Sequence, residues 1–302
     1  MPLLRRRVRS ALELFLLPGL IAVLPWPLGL RVAHRVARWA FLYRSEVELA
    51  TAEASRLGFA AEPAAFAKRV RLRLLVDVID GYQTVLRGDR YVRRWVEVRG
   101  DPLPESGPLL FAGLHHGCGF WFLPAMRLRK LGPSIIAPRV DHLTSNSGRL
   151  EATFLRLRLR LISRAAGKPL VHRGGAADGL GAILSAGGVG FGLPDIPTSR
   201  PDAVTVEIAG LRCRLAQGLY EIALKQSAPI YFFTTDTDLD SGQRWVLIQR
   251  CGATDAISAT REYARFLSDA IERDPTGWRF WTIVRQLLVA TEVVGQASSE
   301  PG

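Results

Sequence analysis

Apolar positions along this chain recur with two periods, and the change from one to the other marks the predicted elements. The first apolar run, residues 11–30 (ALELFLLPGLIAVLPWPLGL), is long enough to reach across a bilayer. Glu13 near its start and Pro18, Pro25 and Pro27 within it break the pattern of a spanning helix, so it predicts a segment anchored to a membrane rather than threaded through it. Arg31, His34, Arg35 and Arg38 then recur at helical spacing, with Val32, Val36 and Trp39 on other faces. Helices are predicted over 46–57 and 63–82, the second carrying Phe66, Val70, Leu74 and Val78 in one stripe, flanked by Lys68, Arg69, Arg71 and Arg73. Beyond it, short apolar or alternating runs predict strands at 91–98, 109–114, 134–138, 169–172, 189–193, 230–235 and 245–249. Helical patterns occupy 121–130, 179–185, 213–226, 257–273 and 278–288, and residues 101–108 read as a loop. Residues 150–161 predict a helix, although the L-R-L-R-L-R-L run from Leu155 also alternates like a strand. Strands alternating with helices predict an α/β fold. Its mostly parallel central sheet is flanked by helices and preceded by a helical membrane-associating region at 1–45.

Charge narrows the partners. The 302 residues carry 40 Lys and Arg against 28 Asp and Glu, a net charge of +12, which favours an anionic surface: nucleic acid, phospholipid headgroups or a phosphorylated substrate. No groove-reading or base-stacking motif accompanies the charge, so no nucleic-acid partner is expected. Much of the excess adjoins apolar sequence: Arg5, Arg6, Arg7 and Arg9 precede the run at 11–30. No small-x-small cleavage site follows that run, which separates it from a signal peptide. The pattern predicts membrane association with the basic body on the cytoplasmic side; the competing reading is a buried helical hairpin with solvated arginines. Three scattered cysteines, Cys118, Cys213 and Cys251, argue against a disulfide framework or a cysteine-based zinc site and fit a reducing compartment.

The candidate chemistry lies at residues 114–121, LHHGCGFW. Two histidines follow a predicted buried strand and precede a predicted helix, the place where open α/β sheets bind ligands. The helix start offers free N–H groups for an anion, and Gly117 and Gly119 permit close backbone approach. A neutral His115 there can take a proton from an acceptor hydroxyl. Two structural histidines beside a turn would give the same dipeptide. Cys118 reads either as a thiolate able to accept an acyl group or as a small packed core residue.

LLFAGLHHGCGFW resembles the first block of the lipid A lauroyl/myristoyl acyltransferases of the lysophospholipid acyltransferase superfamily, in which an apolar strand leads to His, four residues, then Glu or Asp. Residues 135–139 (IIAPR) resemble the second block, 168–174 (KPLVHRG) the stretch before the next helix, 187–195 (GGVGFGLPD) the glycine-rich strand ending in Pro-Asp, and 228–230 (API) the start of a late strand. The order covers nearly the whole chain. The resemblance implies an acyltransferase-like domain at 46–295 that moves a fatty acyl chain from an acyl-CoA or acyl carrier protein thioester to a hydroxyl or amine of a lipid or glycolipid. His115 would be the general base, with an acid to orient it. It implies no metal and no redox cofactor, and a place at the cytoplasmic face of a bacterial inner membrane. His116, Gly117 and Cys118 fall in the same block. Arg139 matches the arginine of the second block and would bind a phosphate, and Arg164 is a further basic candidate for substrate binding.

The chain departs from the pattern where the acid should stand: five residues after His115 is Phe120, and five after His116 is Trp121. Asp141, Glu151 and Asp195 are the acids near the matching blocks. Asp195 is preferred because it ends a strand of the same predicted sheet and so can share its rim with His115; on local grounds it reads equally well as a Pro-Asp turn residue. With a substitute acid the chain is an enzyme. Without one it is a relative that binds lipid or acyl carrier protein without chemistry.

Overall fold

A computed structural model describes residues 2–137, 148–172 and 176–289. The chain opens with a continuous helical run: α1 (Pro2–Ala11), a π-helical turn (Leu12–Leu16) and α2 (Leu17–Val23). Pro25 ends that run, and α3 (Trp26–Val36) turns back with Trp26, Leu30, Ala33 and Val36 buried. Next come α4 (Arg44–Arg56), the long α5 (Pro63–Leu86), α6 (Asp89–Trp95) and β1 (Val96–Gly100). The expected stripe Phe66, Val70, Leu74, Val78 is buried, and from Val70 to Gly81 so is every other residue of α5. The strand predicted over 91–98 is helix to Trp95 and strand only from Val96.

Among the described residues the chain has nine strands, β1 the first of them, and α7 (Phe122–Leu128) follows the second. β2 (Leu109–Gly113), β3 (Ser134–Ala137), β4 (Val171–His172) and β5 (Val189–Gly192) fall where the apolar runs predict them, as do β8 (Ile230–Thr237) and β9 (Arg244–Arg250). The helix predicted over 213–226 is a correction. Its first residues belong to β7 (Leu211–Leu215), paired antiparallel with β6 (Val204–Ile208), and the helix occupies only Gly218–Lys225. The tight turn at Ala209 and Gly210, both at positive φ, closes that hairpin. Seven strands form one sheet in the order β1-β9-β8-β2-β5-β3-β4, in which every neighbouring pair is parallel except β8 with β9. The fold is therefore α/β with a mostly parallel sheet flanked by helices.

β2 lies at the centre, and its alternation divides the core. Leu110 and Ala112 face one apolar cluster, with Tyr263 and Phe266 of the helix Ala256–Arg273; Leu109 and Phe111 face the other, with Phe122, Tyr231 and Phe233. This period of two with both faces apolar is what a fully covered strand requires. Ile21, Ala22, Trp26 and Leu30 belong to the first cluster together with α5 and β8 residues, so residues of the expected parts 1–45 and 46–295 share one core. Among the described residues no helix is long and apolar enough to cross a membrane.

Candidate active site

β2 runs parallel to β5, with Ala112 opposite Gly192, so the chain leaves both strands at the same rim of the sheet. Two residues past β2 stands His115, and three past β5 stands Asp195. The carboxylate meets the histidine twice. The His115 backbone N–H donates to Asp195 Oδ2 at 2.8 Å, and the ring Nδ1 lies 2.6 Å from Oδ1. Asp195 is fully buried, whereas 28% of the His115 side chain is exposed. In the neutral ring the nitrogen that faces the carboxylate, Nδ1, carries the proton, which leaves the lone pair on Nε2. A carboxylate thus reaches His115 from beyond the end of the neighbouring strand, although none stands at position 120.

A second segment holds the histidine from the other side. The Arg279 N–H donates to the His115 carbonyl at 2.8 Å, the Gly117 N–H donates to the Gly277 carbonyl at 2.9 Å, and Phe280 lies against the His115 ring at 4.4 Å between centroids. Gly117 sits at φ 69°, and a Cβ there would come within 1.8 Å of the Thr235 carbonyl oxygen of β8. The glycine is required by this close approach and by its backbone conformation together.

His115 lines a cavity of about 1040 Å³. One part of the wall is apolar, with Ile135 and Ala137 of β3, Phe191 and Leu193 at β5, Phe233 of β8 and Ile162 of α8 (Arg149–Ala166). Polar wall residues include Asp77, Arg158 and Arg279. Asp77 is buried between the two arginines, 2.9 Å from Arg158 and 3.7 Å from Arg279. Burial alone would raise its carboxyl, but the paired guanidiniums hold it below the usual value. The Arg158 guanidinium also stacks over the ring of Phe120, 4.5 Å from its centroid. The N-terminal run closes the cavity: Arg9, Ser10, Glu13 and Leu14 line it, Glu13 from within the π-helical turn. Burial raises the Glu13 carboxyl, although the Tyr43 N–H donates to it at 2.7 Å.

The other sequence candidates separate. His116 touches the cavity but is only 2% exposed, and its Nε2–H donates to the Asp274 carbonyl at 2.9 Å. Burial lowers its pKa, and its ring fills the space where a Cβ on Gly277 would lie, 2.4 Å away. It is a packed, neutral imidazole that braces the rim. Cys118 is buried outside the cavity wall, and burial pushes its thiol well above the ordinary range, which removes the thiolate that an acyl-accepting role requires. Arg164 is exposed on α8 and does not line the cavity. Arg139 and Asp141 lie outside the described residues. Trp278 and Trp281 are packed inside.

Sequence reasoning missed Asp77, Arg158, Arg279 and Phe280. The signal for the first was present: Asp77 and Asp80 interrupt an apolar run, LLVDVID, on a helix otherwise destined for the core, and a buried carboxylate needs a cation. Asp80 has Arg244, itself stacked on Trp26 at 4.0 Å and Trp121 at 4.8 Å. Among the described residues no group of three or more His, Cys, Asp or Glu side chains could hold a metal ion. No protein-family model matches this chain, and no curated protein matches it.

Proposed function

We propose that this protein is a membrane-associated acyltransferase that moves a fatty acyl chain from an acyl-CoA or acyl carrier protein thioester to a hydroxyl or amine of a lipid or glycolipid acceptor. The observation that carries the reading is the 2.6 Å contact between His115 Nδ1 and the buried Asp195, on the wall of a large, partly apolar cavity. Asp195 fixes the tautomer and offsets the charge of the imidazolium; Nε2 takes the acceptor proton as the acceptor atom attacks the thioester carbonyl. Collapse of the tetrahedral intermediate breaks the C–S bond, and the imidazolium returns the proton to the departing thiolate. The apolar wall suits an acyl chain, and Arg158 and Arg279 bring positive charge to the same space. A carboxylate within reach of the histidine favours chemistry over binding alone.

Membrane association is supported by exposed apolar side chains on the N-terminal run, Val8, Leu16, Leu20 and Val23, beside exposed Val85 and Leu86 at the end of α5. Arg87 of that end donates to the carbonyls of Ala22, Val23 and Leu24, which ties the two together. The basic charge and the resemblance together support a location of this surface at the cytoplasmic face of a bacterial inner membrane.

The reading is tested with a labelled acyl thioester and a total lipid extract. His115→Ala is expected to abolish product while leaving vesicle binding intact, and unchanged product would remove His115 from the mechanism. Losing the orienting carboxylate of a hydrolase triad costs about 10⁴ in turnover, so Asp195→Asn is expected to lose on the order of 10³–10⁴. A loss below about tenfold would mean that Asp195 is only structural.

A further inference from the structure

α8 presents opposite faces to two different environments. On its inner side Phe154, Arg158 and Ile162, spaced i, i+4 and i+8, line the cavity. On its outer side Arg149, Arg156, Arg160 and Arg164 follow one another at intervals of seven, four and four residues, which a 3.6-residue turn brings onto one line. All four are exposed, and none forms an ion pair with a described residue. Arg158, the remaining arginine of the alternating run, points inward to Asp77. The leucine–arginine alternation that looked like a strand is therefore a helix with a basic outer row.

We propose that this arginine row is a second membrane contact, selective for anionic phospholipid headgroups, and that it holds the wall of the cavity against the bilayer surface. It rests on the membrane association proposed above, but not on acyl transfer. The row runs over fifteen residue steps, about 22 Å at 1.5 Å per step, so its charges form a straight array that matches a planar anionic surface. The chain as a whole carries +12, which complements such a surface. Among the helices that pack against α8 is the N-terminal run, which bears the exposed apolar side chains: Ser10 Oγ donates to Glu151 Oε1 at 2.8 Å, and Phe15 meets Phe154 edge-on at 5.7 Å. Apolar side chains on one helix and a basic row on its neighbour are the two components of interfacial binding. An acidic protein partner would use the charge but would leave the adjacent stripe without a role. With one helix of about 10 Å diameter between headgroups and cavity, a lipid acceptor has a short way to travel.

The test is sedimentation of the full chain with vesicles of phosphatidylcholine alone and with about one quarter phosphatidylglycerol. Replacing all four arginines by Gln is expected to weaken binding to the anionic vesicles by about fivefold per arginine removed, and to leave binding to neutral vesicles unchanged. The corresponding Arg→Lys variant is expected to retain wild-type binding, which excludes misfolding as the cause. Leu16→Ser with Leu20→Ser is expected to weaken binding to both vesicle types. If the wild-type chain binds neither vesicle, the association proposal falls, and this one with it. If the wild type binds but the Gln variant binds anionic vesicles as tightly, only the arginine row is refuted. Loss of binding to purified acyl carrier protein without loss of vesicle binding would overturn the proposal in favour of a protein partner.

Discussion

At the scale of single residues, the site depends on close fits that tolerate no added atom. Gly117 passes so near the Thr235 carbonyl that Gly117→Ala adds both a clash and left-handed backbone strain. A loss of more than about 2 kcal/mol in urea unfolding is expected, and a variant of unchanged stability would mean that the rim is looser than described. Neither the need for this glycine nor the role of its neighbour His116 can be told from the dipeptide alone. His115 and His116 are adjacent in sequence and both border the cavity, yet one is partly exposed there and the other is packed against Gly277. The difference comes from residues 158 or more positions away, Asp274 and those that follow it. Asp195 was legible for the opposite reason: its partner strand was legible, and a parallel neighbour must put its tip on the same rim.

At the scale of elements, the N-terminal run has a second duty beyond carrying exposed apolar side chains. It buries Ile21 and Ala22 in the common core beside Trp26 and Leu30 of α3, and supplies Arg9, Ser10, Glu13 and Leu14 to the cavity. Trp26 also covers the buried Arg244–Asp80 pair and donates its indole N–H to the Gly242 carbonyl at 2.8 Å. Removing residues 1–30 is therefore expected to abolish the cooperative thermal transition rather than to release a folded protein from membranes. Recovery of a truncated chain with a wild-type melting transition would refute this integral role. The milder Trp26→Ala is expected to cost about 3–5 kcal/mol in chemical denaturation. Helix and strand were read correctly where one period persisted, as in α5 and β2. They were confused at 91–98 and 213–226, where a strand and a helix share one apolar run and only the pairing of β1 with β9 and of β6 with β7 sets the boundary.

At the scale of the whole molecule, buried charge ties distant segments together and gives the fold an acid limit. Arg73 of α5 pairs with Asp236 of β8 and with Asp274, which Thr276 and Arg69 also contact. Burial alone would raise the Asp274 carboxyl, but Arg73 and its other partners outweigh that and hold it at about 2, below its ordinary 3.8. Because the folded value is the lower one, the stability it contributes is present above 3.8 and is lost as pH falls toward 2. His116 acts in the same direction at higher pH. Burial disfavours its charged form, so protonation below its ordinary 6.5 favours the unfolded chain. The melting temperature is expected to fall in two stages on acidification, and His116→Gln should flatten the upper stage alone. A melting temperature independent of pH across both ranges would refute the assignment.

By itself the sequence determined most strands of the central sheet and the helices between them, the position of His115 at a strand tip, the basic character of the chain and Asp195 among the acids that could stand in for Phe120, because each depends on local period, composition or chain order. Only the tertiary structure decided which histidine faces open space, which arginine of an alternating run turns inward, and that the N-terminal segment is both wall and surface. Those are matters of what packs on what, and burial at any one position is set by segments far away in the chain.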